Sequence, residues 1–437
     1  MKRKLIAAIG VAAVLSGVAA CGSDSGKKND DKSTSSSTNA AGPAADFKGK
    51  TLNVWLMSGS NPPGWTKDIT AAFQKQYPGA TLKVTVQQWD GIQQKLTTAL
   101  SESTPPDVIE VGNTQTPYYA ATGGLKDLTS VKSDLGGDDW LPSLNGSAVY
   151  DGKQFAAPWY FASRVVVYNK KIWSAAGITT PPKTQDELFT DLGKIQAKGT
   201  KDAFYLPGQD WYAFDGMLLD AGADLVKKDG DKYTANLDTP QATQAINLYK
   251  KLNSYGTAPK DKDEATPQQS DVFAKGDVGS FIGLGWEAAG AIAKNPALKD
   301  QIGYFALPGK TADKTASVFV GGSNLAISQN SKNPELAQDF LKMAMSDQFE
   351  GELAKEGGIV PNKAALNSQL AGNAYGTVAA AASANGGTTP LIPAWGNVEN
   401  APNPIKTIFM TGVLQGKSPS DAAKKANSEI DKRLSQQ

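Results

Sequence analysis

Apolar and polar residues follow two different periods along residues 51–112. Leu52, Val54 and Leu56 occupy every second position of TLNVWLM, which predicts a strand with one buried face. Ile69 and Phe73 belong to an apolar repeat of four residues, which predicts a helix that ends at the next Pro-Gly pair. TLKVTVQQ predicts a second strand, the segment after it a second helix, and PPDVIEVGN a third strand. Alternating strands and helices of this kind are typical of a doubly wound, parallel α/β sheet.

The loops after these three strands are rich in uncharged polar side chains and indoles. They read SGSNPPGW, QQWDG and GNTQTPYY, and because the carboxyl ends of parallel strands share one edge, we expect the loops to meet there. None contains the Lys or Arg that a phosphate or carboxylate ligand would favour, whereas amides and indole faces suit a neutral sugar. Core packing explains each tryptophan equally well. The candidate contacts at this edge are Ser58, Ser60, Asn61, Trp65, Gln87, Gln88, Trp89, Asp90, Asn113, Thr114 and Gln115.

Three further helix starts carry recognisable signals. Asp90 precedes the helix after the second strand and is a predicted N-cap, and Asn333 followed by Pro334 predicts another helix start. The segment SFIGLGWEAAG predicts a strand, a glycine turn and a helix with Glu287 in its first turn. Its glycines resemble a dinucleotide loop only in part, because the spacing is G-x-G-x-x-x-x-G and Trp286 stands where backbone must approach a pyrophosphate. A nucleotide site is therefore disfavoured.

The N-terminal segment has the layout of a secretory signal. Lys2, Arg3 and Lys4 precede the apolar run from Leu5 to Ala20, which is shorter than the ~20 residues of a membrane-spanning helix. Residues 18–21 resemble the lipobox of bacterial lipoproteins, which implies that Cys21 is lipidated. Residues 22–46 contain no aromatic side chain and no aliphatic side chain larger than Ala, so we predict a disordered tether.

Composition excludes several classes of protein. The chain of 437 residues has one cysteine and no histidine, which excludes Cys–His catalytic pairs, Cys/His zinc sites and disulfide frameworks. Removal of the three basic residues of the signal changes the formal charge from +1 to −2 (+1 − 3), which does not suit nucleic-acid binding. The acidic run near Asp261 lacks the spacing and glycine of a calcium loop, and no cofactor is predicted.

Catalysis would have to use carboxylates, Lys, Tyr or Ser. A glycoside hydrolase needs two carboxyl groups in a cleft, and Glu110 and Glu287 are the candidates. The simpler interpretation is that Glu110 lies at the end of a strand and that Glu287 stabilises a helix N-terminus, where a carboxylate is favoured. We therefore predict that the protein is not an enzyme, and the hydrolase remains an alternative.

Four segments together resemble one family. DGKQFAAPWYFASRVVVYNKKIWSAAGITTPPKTQDEL, FAKGDVGSFIGLGW, GGSNLAISQNSKNPELAQDFL and GGIVPNKAAL resemble the family 1 extracellular solute-binding proteins, the sugar-binding subunits of bacterial ABC importers. The resemblance implies an α/β fold of the type II periplasmic-binding-protein class, with two lobes, a hinge and a central ligand cleft. The implied first lobe comprises residues 47–161 and 323–360, and the second 162–322 and 361–437. The implied crossovers lie near Pro158–Arg164 and Phe319–Ser323.

The resemblance also implies a function. The loops WLMSGSNPPGW, QQWDGIQQKLTTALSES and EVGNTQTPYYAATGGL are similar to those of chitobiose-binding lipoproteins of actinobacteria. The implied role is a monomeric receptor, lipid-anchored at the extracellular face of the membrane, that passes N,N′-diacetylchitobiose or N-acetylglucosamine oligomers to an ABC permease. A receptor for cellobiose or a maltose-type sugar and a cell-surface scaffold are alternatives. The implied ligand contacts are Asn61, Trp65, Asn113, Gln115, Trp159, Asp210, Trp211, Trp286, Glu287, Gly322, Ser323 and Trp395.

Overall fold

The structure is a computed structural model that describes residues 47–230 and 232–436. The predicted signal, the lipobox cysteine and the tether lie outside the described residues. The strands are β1 (Thr51–Met57), β2 (Thr81–Gln87), β3 (Val108–Gly112), β4 (Val149–Tyr150), β5 (Lys153–Gln154), β6 (Ala157–Ser163), β7 (Val165–Asn169), β8 (Val226–Asp229), β9 (Lys232–Ala235), β10 (Ser280–Gly283), β11 (Ile302–Phe305), β12 (Val320–Ile327) and β13 (Val360–Pro361).

Sixteen α-helices are distributed over the described residues. They are α1 (Pro63–Gln76), α2 (Ile92–Leu100), α3 (Thr116–Ala121), α4 (Pro142–Asn145), α5 (Lys170–Ala175), α6 (Gln185–Ala197), α7 (Trp211–Asp220), α8 (Pro240–Asn253), α9 (Gln269–Phe273), α10 (Gly285–Lys294), α11 (Pro334–Ala344), α12 (Asp347–Gly357), α13 (Ala374–Ser383), α14 (Trp395–Glu399), α15 (Thr411–Leu414) and α16 (Pro419–Leu434). Short 3₁₀ helices cover Thr129–Val131, Ser133–Leu135, Gly146–Ala148, Pro296–Leu298 and Ala364–Leu370, and Ile405–Met410 forms a π-helix.

A six-stranded sheet organises the first lobe. Its strand order is β13-β6-β12-β3-β1-β2. β1 pairs in parallel with β2, from Thr51 opposite Thr81 to Met57 opposite Gln87, and also in parallel with β3. These pairings confirm the parallel arrangement that the alternating pattern predicts. β12 and β13 run antiparallel to their neighbours, so the complete sheet is mixed, which the local pattern does not indicate.

A three-stranded antiparallel sheet organises the second lobe, in the order β10-β7-β11. Arg164 is the single residue between β6 of the larger sheet and β7 of the smaller one. The chain returns to the larger sheet between β11 and β12. The protein therefore has a two-lobed α/β fold in which the chain crosses between the lobes. The exact residue boundaries of the lobes stay a prediction.

Each lobe has its own apolar core. In the first lobe, α1 contributes Ile69 and Phe73 and α11 contributes Phe340 and Leu341, all fully buried. Loss of such a buried ring typically costs about 3–5 kcal/mol. The second lobe buries one face of its small sheet against α6, α7, α8 and α16, and its other face against α9, α10 and α13. Within residues 47–230 and 232–436, no helix has the length and apolar character that a membrane span requires.

One predicted helix cap is wrong, and another occupies its predicted position without a side-chain cap bond. Asp90 is exposed, and the residue before α2 is Gly91 at φ 67°, with no side-chain cap. This left-handed conformation favours glycine over other residues, so Gly91 and not Asp90 occupies the position before α2. Asn333 does precede α11, but its side chain makes no cap bond there. Its amide donates instead to the Thr51 carbonyl at 3.1 Å and thereby ties α11 to the start of β1.

Candidate functional site

The three loops of the first lobe converge as predicted from the parallel strands. The Ser58 amide donates to the Gln87 carbonyl at 2.8 Å, and the Trp89 indole Nε1 donates to the Ser58 carbonyl at 3.0 Å. The ring of Trp89 also lies beside Gly112 at the end of β3. Trp89 is 37% exposed, which leaves part of its indole free for a ligand. This loop cluster, comprising residues 58–61, 87–90 and 112–115, is called the first wall below.

A buried carboxyl group supports the first wall from beneath. Glu110 Oε2 accepts hydrogen bonds from the Met57 amide and from Ser60 Oγ, both at 2.6 Å. Its Oε1 accepts a bond of 2.8 Å from the Tyr160 hydroxyl, which in turn accepts one from Ser323. Burial raises the pKa of Glu110, opposed by these hydrogen bonds. The network joins the end of β1 to the middle of β3, β6 and β12, so it holds the loop after β1 in place.

Trp286 lies opposite the first wall. It is half-buried in the first turn of α10, in the second lobe, and its ring lies against Gly59. A Cβ on Gly59 would lie 2.6 Å from the Trp286 Cγ, and Gly59 has φ 92°. Only glycine accommodates both the conformation and this close approach. The loop after β1 and the start of α10 are therefore the two sides of a cleft between the lobes, and they touch.

Glu287 supports Trp286 rather than presenting a free carboxylate. It is buried, its Oε1 accepts a bond of 2.7 Å from Gln269 Nε2, and its Oε2 accepts one of 2.8 Å from the Leu284 amide. Burial raises the pKa of Glu287 to about 7, opposed by the nearby charge of Arg164. The helix start and the position of Glu287 in its first turn confirm the sequence prediction.

The residues that face the first wall from the second lobe, 285–287 at the start of α10 and 395–399 in α14, are called the second wall below. Arg164 lies at the centre of a charged cluster in the same lobe. Its Nε lies 3.4 Å from Asp210 Oδ1, its Nη2 lies 3.0 Å from Glu264 Oε1, and its guanidinium packs over the Tyr212 ring at 4.9 Å. Asp210 also accepts a bond from the Ala213 amide and so caps α7. Burial raises the pKa of Asp210 to about 7, opposed by Arg164. The sequence analysis named Asp210 as a ligand contact and Arg164 only as part of a lobe crossing, and it missed the ion pairs of Arg164.

Glu399 joins the two walls. Its Oε2 accepts bonds from Thr114 Oγ1 at 2.8 Å and Gln115 Nε2 at 3.1 Å, and its Oε1 accepts one from Trp395 Nε1 at 2.8 Å. Thr114 and Gln115 belong to the first wall, whereas α14 packs in the second lobe core through Trp395. Burial raises the pKa of Glu399. Gln115 and Trp395 were both predicted; Glu399, one helical turn after Trp395, was missed.

The other tryptophans that were predicted to contact the ligand are packed inside the lobes. Trp65 and Trp159 are fully buried in the first lobe with ring centroids 5.4 Å apart, and Trp65 Nε1 donates to the Phe349 carbonyl. Trp395 is also fully buried, and Trp211 is 4% exposed and packs on Tyr212 at 4.1 Å. Their predicted ligand contacts stay predictions, since these rings present almost no open face in this arrangement.

The remaining predicted residues lie at the lobe crossing or on the first wall. The Asn113 amide donates to the Gly322 carbonyl, and its side chain donates to the Val320 carbonyl at 3.2 Å. Ser323 belongs to the Glu110 network, and Asn61 donates to Thr66 Oγ1 at 3.2 Å. The structure therefore brings Asn113, Gly322 and Ser323 together, whereas Asn61 lies in the first turn leading into α1 and bonds locally.

Comparison with known proteins assigns the family. Residues 58–350 match the family described as bacterial extracellular solute-binding protein. The chain belongs to this family. Over 440 aligned residues, all of both chains, the solute-binding protein is 56% identical to the diacetylchitobiose binding protein DasA of Streptomyces coelicolor.

Solved structures support the same fold. One is a solute-binding protein of an ABC transporter from Thermotoga lettingae bound with α-D-tagatose, with a TM-score of 0.77 and 24% identity, covering 88% of this chain and all of that one. Another is the GacH receptor of Streptomyces glaucescens, with a TM-score of 0.78 and 23% identity, covering 89% of this chain and 99% of that one. At these identities, the likeness establishes the two-lobed architecture.

Proposed function

We propose that the protein is a receptor that binds N,N′-diacetylchitobiose or N-acetylglucosamine oligomers in the cleft between its lobes. The observation that carries this proposal is the arrangement of two indoles, the partly exposed Trp89 on the first wall and Trp286 on the facing side of the cleft. Indole faces pack against the apolar faces of sugar rings. The 56% sequence identity to the diacetylchitobiose binding protein DasA supports an acetamido sugar as the ligand.

The chemistry of the first wall supports a neutral ligand. Its side chains are mainly hydroxyls and amides, including Ser58, Asn113 and Gln115, and it contains no Lys or Arg. Hydroxyl and amide groups both donate and accept hydrogen bonds, as sugar hydroxyls and acetamido groups require. The cation at its edge, Lys95, already donates from Nζ to Gln87 Oε1 at 2.5 Å, so no unpaired cation of the wall awaits a phosphorylated or carboxylated ligand. The paired Arg164 lies in the second lobe and already has two carboxylate partners.

Ligand capture is proposed to act by hinge closure. The lobes are joined where β6 passes through Arg164 into β7 and where the chain returns to β12. A ligand that contacts both walls binds the closed arrangement more tightly than the open one and shifts the population by that difference. Glu399, which bonds to Thr114 and Gln115 across the walls, would stabilise the closed arrangement.

The same geometry favours a receptor over a glycoside hydrolase. Both carboxyl candidates are engaged by protein donors, Glu110 by Met57, Ser60 and Tyr160, and Glu287 by Gln269 and Leu284. A retaining or inverting hydrolase needs two carboxyl groups that reach the glycosidic bond. The proposal includes no catalytic step and no cofactor.

The proposed location is the extracellular face of the membrane. Lipidation of Cys21 would anchor the chain, and residues 22–46 would serve as a tether to a monomeric receptor. Anchoring by more than one acyl chain is stable, whereas one chain binds only marginally. In this arrangement the receptor delivers its sugar to the permease of an ABC importer.

Calorimetric titration with four sugars tests the proposal. Chitobiose, cellobiose, maltose and N-acetylglucosamine are titrated separately into the purified protein, and tight binding of chitobiose alone is expected. Binding of cellobiose or maltose instead would keep the receptor and reject the acetamido ligand. Absence of binding to all four sugars would contradict the proposal, and release of reducing sugar from chitin oligomers would restore the hydrolase.

A further inference from the structure

Tyr375 is a buried tyrosine whose hydroxyl reaches a lobe crossing. It lies in the first turn of α13, a helix that packs in the core of the second lobe, and is 4% exposed. Its hydroxyl donates to the Ser163 carbonyl at 3.0 Å. Ser163 is the last residue of β6 in the large sheet and directly precedes Arg164 at the crossing. Tyr375 therefore ties the second lobe to the first at the point where the chain passes between them.

The same tyrosine also lies against the first residue of α10. A Cβ on Gly285 would lie 2.4 Å from Tyr375 Cδ1 and 2.7 Å from its Cε1, so glycine is required for this close approach. The Gly285 amide is among the first amides of a helix, which have no partner within the helix itself. Burial raises the pKa of Tyr375, and a hydrogen bond from the Gly285 amide opposes the rise. The hydroxyl therefore accepts from the start of α10 and donates to the end of β6.

The start of α10 carries the indole of the second wall. Trp286 follows Gly285 directly, is half-buried and lies against Gly59 of the first wall. The direction in which its side chain leaves the helix follows from the backbone of this turn. Glu287 holds the turn only to other segments of the second lobe. Tyr375 is different, because it connects the turn to the lobe crossing.

We propose that Tyr375 is a positioning residue of the cleft, which holds Trp286 in a fixed place relative to the lobe crossing so that the indole faces the first wall when the lobes close. This inference rests on the proposed function, because it takes Trp286 as a sugar anchor. A side chain that is already held in place loses less conformational freedom when a ligand binds. Tyr375 does not touch the sugar in this proposal and acts through Trp286.

Core packing accounts for the ring of Tyr375 but not for its hydroxyl. The ring packs edge-on against Tyr304 with centroids 5.8 Å apart, and a phenylalanine would make the same contact. The hydroxyl instead meets backbone groups of Ser163 and Gly285, which belong to different lobes. Without it, both groups would lose a partner in a buried region. The hydroxyl is therefore the group that distinguishes positioning from packing.

Tyr375→Phe removes the hydroxyl and keeps the ring. Hydrogen exchange on the full chain without sugar is expected to show the amides of residues 285–288 exchanging about tenfold faster, because the start of α10 loses a partner. Tyr304→Phe is the matched control, since Tyr304 packs on the same ring and its hydroxyl makes no hydrogen bond within residues 47–230 and 232–436. Thermal unfolding verifies that both variants fold. Unchanged exchange in Tyr375→Phe would overturn the proposal.

A double-mutant cycle measures whether Tyr375 acts through Trp286. Calorimetry with chitobiose is expected to show that Tyr375→Phe weakens affinity about three- to tenfold, and less than about twofold when Trp286→Ala is already present. Trp286→Leu takes the place of Trp286→Ala if that chain no longer binds. Equal losses with and without the indole would overturn the proposal, because a purely structural tyrosine acts in both chains.

The two measurements also separate this inference from the proposed function. If the unsubstituted chain binds no chitobiose, the proposed sugar fails. Faster exchange of residues 285–288 in Tyr375→Phe, with no change in Tyr304→Phe, would still support the role of Tyr375 in positioning Trp286. If chitobiose binds and Tyr375→Phe changes neither exchange nor affinity, the proposed function stands and this inference fails.

Discussion

The two walls of the cleft are built in different ways. The first wall consists of three loops that follow consecutive parallel strands, and one buried carboxyl group, Glu110, holds it from beneath. The second wall consists of residues far apart in sequence, and a charged cluster around Arg164 lies in the same lobe. A wall built on neighbouring strands is specified by local pattern, whereas a wall built by an ion cluster depends on the whole lobe. The second wall should therefore be more sensitive to single substitutions.

Arg164→Ala tests this difference with the largest expected effect. Removal of the cation leaves the fully buried Asp210 without its ionic partner, and loss of one partner of a buried pair costs about 3–5 kcal/mol. The free energy of unfolding from urea titration measures the change. Lys294→Ala is the matched control, since its pair with Asp271 is exposed and should contribute under ~1 kcal/mol. Equal losses in both variants would remove the distinction between the walls.

Trp286→Ala tests the proposed role of the facing indole. If Trp286 is a binding anchor, the variant should lose about 1–4 kcal/mol of sugar affinity. Trp89→Ala should act in the same direction from the opposite side. Calorimetry measures the affinity. Val86→Ala is the control, because Val86 is also an exposed apolar residue and lies on β2, the strand that leads to Trp89. Unchanged affinity in a folded Trp286→Ala protein would reject its role.

Glu110→Gln tests the support of the first wall. The amide of glutamine has one acceptor oxygen, so at least one of the donors from Met57, Ser60 and Tyr160 loses its partner. The expected loss is about 1–3 kcal/mol of unfolding free energy. Tyr160→Phe, which removes one donor and leaves the carboxyl group, should cost less. If Tyr160→Phe lost more unfolding free energy than Glu110→Gln, the Tyr160 hydroxyl and not the Glu110 carboxyl group would be the main support of the first wall.

The pH dependence of stability tests the second wall. Burial raises the pKa of Asp210 and of Glu287 to about 7, while these groups titrate near 4 in the unfolded chain. The folded state therefore binds more protons between these values, and its stability falls as pH rises from about 4 to 7. Each group contributes at most about 1.4 kcal/mol per pH unit.

Urea titrations at several pH values measure this slope. Glu287→Gln should flatten it, because glutamine does not titrate, whereas replacement of the exposed Glu335 by Gln is the control that should leave it unchanged. A slope that is equally steep in both variants would show that Glu287 does not carry a raised pKa in the folded protein.

The comparison of the two walls also shows which features the local sequence pattern was sufficient to predict. The alternation in β1, β2 and β3 predicted three parallel strands, and their loops meet as expected at one edge. The apolar repeat of Ile69 and Phe73 is buried in α1 as its period predicts. These features were predictable because each depends on residues close together in the chain. The cap at Asp90 was not, since a left-handed glycine precedes α2 instead. Asn333 precedes α11 as predicted, but its side chain bonds to β1 and not to the helix.

The sequence by itself determined the first three strands and their parallel direction, the neutral character of the first wall and the family resemblance. Only the tertiary structure decided which tryptophans are exposed. Trp89 retains an open face, while Trp65, Trp159 and Trp395 are fully buried. An indole has enough apolar area for either role, so its surroundings decide between them. The tertiary structure also placed Arg164 among carboxylates and Glu399 between the walls, because both depend on contacts between segments far apart in the chain.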